Sequence, residues 1–94
     1  MTNFSFTSSA WKHNNARLTN QIFKLLPLYE EGGEWKKQQQ TLLLELQGYN
    51  KVLEGSSDFM VLIAKIAALD YAENQFDFRK LIFEAITELK QIQI

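Results

Sequence analysis

Cysteine is absent from the sequence, so this chain can form neither disulfides nor thiolate metal sites. Charge of one sign does not dominate either, because 10 basic residues accompany 11 acidic ones and the formal net charge is −1. Proline occurs once and glycine four times, at positions where helices are expected to end or bend. The lack of cysteine makes a reducing, cytoplasmic location the expected one.

A long hydrophobic run is missing as well. The longest nearly apolar segment, Phe59–Leu69, has eleven residues, includes Lys65 and stops at Asp70. A membrane-spanning helix needs about 20 apolar residues, so this segment is predicted to be a core helix or an interface. The first ten residues, MTNFSFTSSA, lack the basic and apolar regions of a signal peptide.

The composition that is present suits one folded domain. The chain has 94 residues, of which 46% are hydrophobic and 22% are charged, and these fractions are typical of a globular domain. We therefore expect a single helical domain over residues 1–94. Residues 1–8 are expected to be a flexible or loosely packed N-terminal segment.

Apolar residues recur with the spacing of helices, and no alternating run typical of a β-strand is present. Four helices are predicted, at residues 9–26 or 9–29, 34–53, 58–72 and 75–92. Connections of a few residues join antiparallel neighbours in helical domains. The predicted fold class is therefore all-α, as a four-helix up-down-up-down bundle or a compact helical globule.

Three of the helices carry one clear apolar seam each. The seams of the first two helices coincide when shifted by 24 residues, which indicates either an internal repeat or the heptad spacing common to bundle helices. The predicted core residues are Trp11, Leu18, Ile22, Leu25 and Tyr29 in the first helix, Trp35, Leu42, Leu46, Tyr49 and Leu53 in the second, and Phe78, Ile82, Ala85, Leu89 and Ile92 in the fourth.

Helix boundaries have local signals of their own. Pro27 is expected to end or kink the first helix at Leu26, because proline disfavours helical geometry in the residue before it. The pair Gly32-Gly33 then supplies a turn. Asn74, with Asp77 three residues later, resembles a capping box at the start of the fourth helix.

The third helix is apolar on two sides. One side is predicted to face the core, with Phe59, Met60, Ile63, Ile66 and Ala67. The other side, together with Phe83 of the fourth helix, is predicted to be an exposed protein interface, because several exposed apolar residues in a small chain indicate a binding patch. The predicted interface residues are Val61, Leu62, Lys65, Ala68, Leu69 and Phe83. We expect them to contact a second copy in a homodimer, another protein, or both.

A basic ridge on the first helix predicts a different function. His13, Arg17, Asn20 and Lys24 fall on one helical face, opposite the apolar seam. Basic and amide side chains of this kind contact phosphates in nucleic acids. The ridge is short and the whole chain is slightly acidic, so a solvated helix face that complements acidic neighbours is the simpler interpretation.

Residue patterns for catalysis are sparse. His13 is the only histidine, and no metal-binding, phosphate-binding or nucleophile motif is present in the sequence. We therefore predict no catalytic residue, metal or cofactor. The expected function is a non-enzymatic protein-interaction module, such as an accessory subunit, an adaptor or an inhibitor or immunity-type protein. A nucleic-acid-associated regulator and a ligand-binding or enzyme-accessory bundle are the alternatives.

Overall fold

The structure, a computed structural model, describes residues 8–52 and 57–92. These residues form helices and contain no β-strand, so the predicted all-α fold class is confirmed. The elements are α1 (Ser8–Glu30), α2 (Trp35–Val52), α3 (Ser57–Ala67), a 3-10 turn (Ala68–Tyr71) and α4 (Gln75–Gln91). The proposed N-terminal segment lies outside the described residues, apart from Ser8, which begins α1. The predicted core residue Leu53 also lies outside them.

Hydrogen bonds show that α1 and α4 run antiparallel. The indole Nε1 of Trp11, near the start of α1, donates to the backbone oxygen of Ile92, just past the end of α4, at 3.1 Å. At the other end of the pair, Arg79 Nη2 donates to Glu30 Oε2 at 3.0 Å. The first turns of one helix therefore lie beside the last turns of the other.

The remaining pairs of neighbours are antiparallel in the same way. Gln39, early in α2, contacts Ile66, late in α3, whereas the rings of Tyr49 and Phe59 stack at the opposite ends of these helices. Each helix lies beside two neighbours, and within residues 8–52 and 57–92 the backbones of the diagonal pairs α1–α3 and α2–α4 are farther apart and meet through side chains across the core. The arrangement is a four-helix up-down-up-down bundle, the first of the two predicted architectures.

The core consists of the predicted seams together with one face of α3. Of the predicted seam residues, Tyr29, Trp35 and Tyr49 are partly buried and pack against the core, and the other described ones are buried. Ile86 of α4 is also buried. One polar side chain, Gln39, is buried among these apolar groups. Apolar burial of this kind stabilises a fold by about 25 cal/mol per Å².

Aromatic side chains close both ends of the bundle. Trp11 packs edge-on against Phe59 at 5.6 Å between ring centroids. At the other end, Trp35 packs edge-on against Phe78 at 5.0 Å, and Tyr29 stacks on Phe78 at 4.0 Å. The two tryptophans occupy equivalent positions in the shifted seams of α1 and α2. They lie at opposite ends of the bundle because the two helices are antiparallel.

The first helix continues through its proline. Of the two predicted ends, the one at Leu26 is wrong and the one at Tyr29 is correct to within one residue, since α1 extends to Glu30. Gly32 has a φ of 70°, and the N–H groups of Gly32 and Gly33 bond to the carbonyls of Tyr29 and Leu28. This is the Schellman arrangement, in which a left-handed glycine ends the helix. The glycines, rather than Pro27, therefore stop α1.

The start of α4 follows the predicted capping signal. The side chain Oδ1 of Asn74 accepts a hydrogen bond from the backbone N–H of Asp77 at 2.8 Å. This bond satisfies one of the N–H groups that the first turn of a helix leaves without a partner.

The predicted orientations of three residues in α3 and the turn after it are wrong. Leu62 and Leu69 are fully buried, whereas they were assigned to the exposed face, and Met60, assigned to the core, is 57% exposed. Phe59, Leu62, Ile66 and Leu69 have the spacing 3, 4, 3, which places them on one helical face. An ideal α-helix would put Leu69 about 80° away from Phe59, and the 3-10 turn brings it about 40° closer.

Two glycines in different backbone conformations give a matched test of this description. Gly48 lies inside α2, and a methyl group added there would meet nothing within 4 Å. Gly48→Ala is therefore expected to raise the free energy of unfolding by about 0.5–1 kcal/mol. Gly32→Ala is expected to lower it by about 1–2 kcal/mol, because alanine is strained at positive φ. Urea denaturation followed by circular dichroism measures both, and a stabilising Gly32→Ala would contradict the left-handed turn.

Candidate functional site

The outer side of α3 remains apolar after the correction of its core face. Tyr71 is 83% exposed, and Val61 is 42% exposed. Met60 and Ala64 are also exposed, and Ala68 is half-buried between α3 and α4. Apolar side chains exposed together on one helix differ from the scattered single residues that any protein surface carries.

The single basic side chain of α3 is neutralised within the chain. Lys65 Nζ donates to Glu84 Oε1 of α4 at 2.9 Å, and both side chains are partly exposed. The hydrogen bond from Lys65 lowers the pKa of Glu84 below its usual range, with a further contribution from the nearby charge of Lys80. The ion pair therefore leaves little net charge in the middle of α3, whereas the charged side chains of Asp77, Lys80 and Glu88 line the α4 side of the same region.

Two shallow, open grooves extend this surface onto α4. The first, with a volume of about 330 Å³, is lined by Lys65, Glu84 and Phe83 among others. The second, of about 320 Å³, is lined by Ala68, Tyr71 and Glu84 among others. Their volumes are at the lower limit of small-molecule pockets, which are also more enclosed. Such grooves accept protruding side chains of a partner more readily than they enclose a ligand.

We call this region the α3/α4 surface and define it by Val61, Lys65, Ala68, Tyr71, Phe83 and Glu84. Four of the six predicted interface residues belong to it, and the two that do not are the core residues Leu62 and Leu69. The remaining two members, Tyr71 and Glu84, were not predicted. The sequence contains a weak indication that Tyr71 is exposed, because this large aromatic residue directly follows the charged Asp70 at the polar end of the helix.

Phe83 reaches the far border of this surface. Its ring is 49% exposed and packs edge-on against Phe23 of α1 at 5.9 Å between centroids. Phe23 is itself 40% exposed. The pair extends the exposed apolar area from α4 to the edge of α1, so three of the helices contribute exposed apolar residues.

The basic ridge of α1 is less available than its sequence indicates. His13, Asn20 and Lys24 are exposed, but the guanidinium of Arg17 forms two hydrogen bonds with the carboxylate of Glu45 in α2. This contact raises the pKa of Arg17. Its Nη2 also lies 3.4 Å from the hydroxyl of Tyr49. Arg17 therefore joins α1 to α2, and only one formal positive charge of the ridge, on Lys24, stays without a carboxylate contact.

A further ion pair lies where α1 ends and α4 begins. Arg79 donates to Glu30 at 3.0 Å, and Gln75 donates to the same carboxylate oxygen. These bonds, that of Arg79 foremost, lower the pKa of Glu30. Because exposed pairs contribute at most about 1 kcal/mol, the contact orients the helix ends more than it stabilises them.

Neither a metal-binding cluster nor a membrane-spanning helix is found in the part of the chain that the structure describes. Over residues 8–52 and 57–92, no three histidine, aspartate or glutamate side chains lie close enough together to hold a metal ion. None of the described helices combines the length and apolarity needed to cross a membrane. No protein-family model matches the chain, and neither a curated protein nor a solved structure shows significant similarity to it.

Proposed function

We propose that this chain is a non-enzymatic protein-interaction module that binds another protein chain through the α3/α4 surface. An accessory subunit, an adaptor and an inhibitor or immunity-type protein all act in this way. The observation that carries the proposal is the combination of exposed Tyr71 and Val61 with Lys65, whose charge is already paired with Glu84.

The energetics favour covering this surface. Removing apolar area from water stabilises an interface by about 25 cal/mol per Å². An aromatic side chain such as Tyr71 contributes about 150–250 Å² when it is fully buried, and tyrosine is common among residues that dominate interface energies. Its hydroxyl can also keep a hydrogen bond at the rim of the interface.

The partly exposed ion pair suits an interface as well. Lys65 and Glu84 satisfy each other at 2.9 Å, so a partner that covers them needs no opposite charge of its own. A buried charge without a partner would cost several kcal/mol. We expect the partner to present an apolar, weakly charged surface, and a second copy of this chain offers one.

The test introduces two charges on the α3/α4 surface and compares them with one elsewhere. In the double variant Val61→Glu/Tyr71→Glu, both changed residues are exposed, so helicity should stay at the wild-type level. Association, measured by sedimentation of the pure protein and by affinity capture from the native host, should fall at least about tenfold, because 1.4 kcal/mol of lost contact already has that effect.

Leu44→Glu is the matched control. Leu44 is 71% exposed on α2, away from the α3/α4 surface, so its replacement should change neither helicity nor association. The proposal fails if the wild type stays monomeric at high concentration and captures no protein, or if the double variant associates as the wild type does. It also fails if Leu44→Glu weakens association as strongly as the double variant.

A further inference from the structure

The α-helix of α3 gives way to a 3-10 turn at a defined place, between Ala67 and Ala68. In an α-helix, the carbonyl of Ile66 would accept the N–H of Asp70, four residues later. In a 3-10 turn, that N–H bonds three residues back, to Ala67. The change of helix type therefore takes the Asp70 N–H away from the Ile66 carbonyl, and the 3-10 pattern offers this carbonyl the N–H of Leu69 instead, in a bond of poorer geometry.

A side chain from the neighbouring helix also donates to the Ile66 carbonyl, at the point where the α-helical bond to Asp70 is lost. Gln39 Nε2 of α2 donates to the Ile66 carbonyl at 2.9 Å. Gln39 is only 2% exposed, although the rest of the core is apolar. A buried amide needs hydrogen-bond partners, and the Ile66 carbonyl, which has lost the Asp70 N–H, provides one for Gln39.

We infer that Gln39 is a positioning residue that ends α3 in a 3-10 turn and thereby sets the orientation of Tyr71. A 3-10 turn advances about 120° per residue and an α-helix about 100°, so the four steps from Ala67 to Tyr71 differ by about 80° between the two. Continued α-helix would carry Tyr71 away from its place beside Ala68 and would turn Leu69 toward the edge of the core.

The turn also explains why one position in α2 must be polar. The apolar spacing of α2 places Gln39 between Trp35 and Leu42, where a leucine would extend the core seam. In the structure, the side chain at this position donates a hydrogen bond to the Ile66 carbonyl instead. The conformational role of Gln39 stands by itself, whereas its effect on binding rests on the function proposed for the α3/α4 surface.

The first test uses nuclear magnetic resonance of the intact wild-type protein. The side-chain amide protons of Gln39 should exchange with solvent at least about tenfold more slowly than those of exposed Gln40, because only the former are buried and bonded. This comparison needs no variant and no folding control. Equal exchange of the two amides would overturn the inference.

The second test replaces the donor by a side chain of similar length, in Gln39→Met, with Gln40→Met as the matched control. We expect a short Hα–HN contact between Ile66 and Asp70 to appear in Gln39→Met alone, because α geometry brings these two atoms together. A variant that keeps the 3-10 pattern would overturn the inference. If the pattern converts but association is unchanged, the role of Tyr71 in binding fails while the conformational role of Gln39 stands.

Discussion

Replacing Leu62 by glutamate is expected to leave the chain unfolded, whereas the same change at neighbouring Val61 should alter the free energy of unfolding by less than about 1 kcal/mol. Leu62 has no exposed area and packs with Phe59 and Ile66 in the core. A buried carboxylate without a partner costs several kcal/mol, and a domain of this size has only about 5–15 kcal/mol in total.

Urea denaturation followed by circular dichroism at 222 nm separates the two variants. Leu62→Ala is a milder substitution at the same position. It is expected to lower the free energy of unfolding by about 2–5 kcal/mol, through lost contacts and the cavity left behind. A folded Leu62→Glu protein, or a Val61→Glu protein as unstable as Leu62→Glu, would show that α3 turns a different face toward the core.

Phe78→Ala should have the second-largest effect, a loss of about 3–5 kcal/mol in the free energy of unfolding. Phe78 is fully buried, and its ring stacks on Tyr29 with only 9° between the planes. It also meets Trp35 edge-on. Its removal therefore deprives two other aromatic rings of their common neighbour at one end of the bundle.

Phe76→Ala is the matched control, two residues earlier on the same helix. Phe76 is exposed, so its truncation should cost less than about 0.5 kcal/mol. Both free energies of unfolding are to be measured by urea denaturation, at a protein concentration low enough to exclude association. Equal costs for the two phenylalanines would mean that the aromatic cluster around Phe78 does not stabilise the fold.

Much of the fold could be predicted because it depends on local patterns. The seams of α1, α2 and α4 each have one strongly apolar side, so their orientation toward the core follows from spacing alone. The cap at Asn74 was also predictable, since it joins residues three positions apart. The end of α1 was harder to predict from the sequence. Pro27 removes only one N–H group, and the left-handed Gly32 decides where the helix stops.

The candidate site was predicted in part. Lys65, Ala68 and Phe83 lie on the α3/α4 surface because each is turned away from the core, and the structure brings them along two adjoining grooves. Tyr71 was missed because its orientation depends on a 3-10 turn, and no local sequence pattern predicts that turn. Arg17 was placed on the correct face of α1, but its pairing with Glu45 depends on how α2 packs beside it.

By itself, the sequence determined the all-α class, the number of helices and the inward faces of three of them, because periodic burial is encoded in residue spacing. Only the tertiary structure decided which apolar side of α3 enters the core. Both sides of that helix are apolar, so its rotation is set by contacts with α2 and α4 and by the turn after Ala67. The Ile66 carbonyl just before that turn accepts a hydrogen bond from Gln39, which lies 27 positions away in the sequence, and helical periodicity cannot predict a contact over that distance.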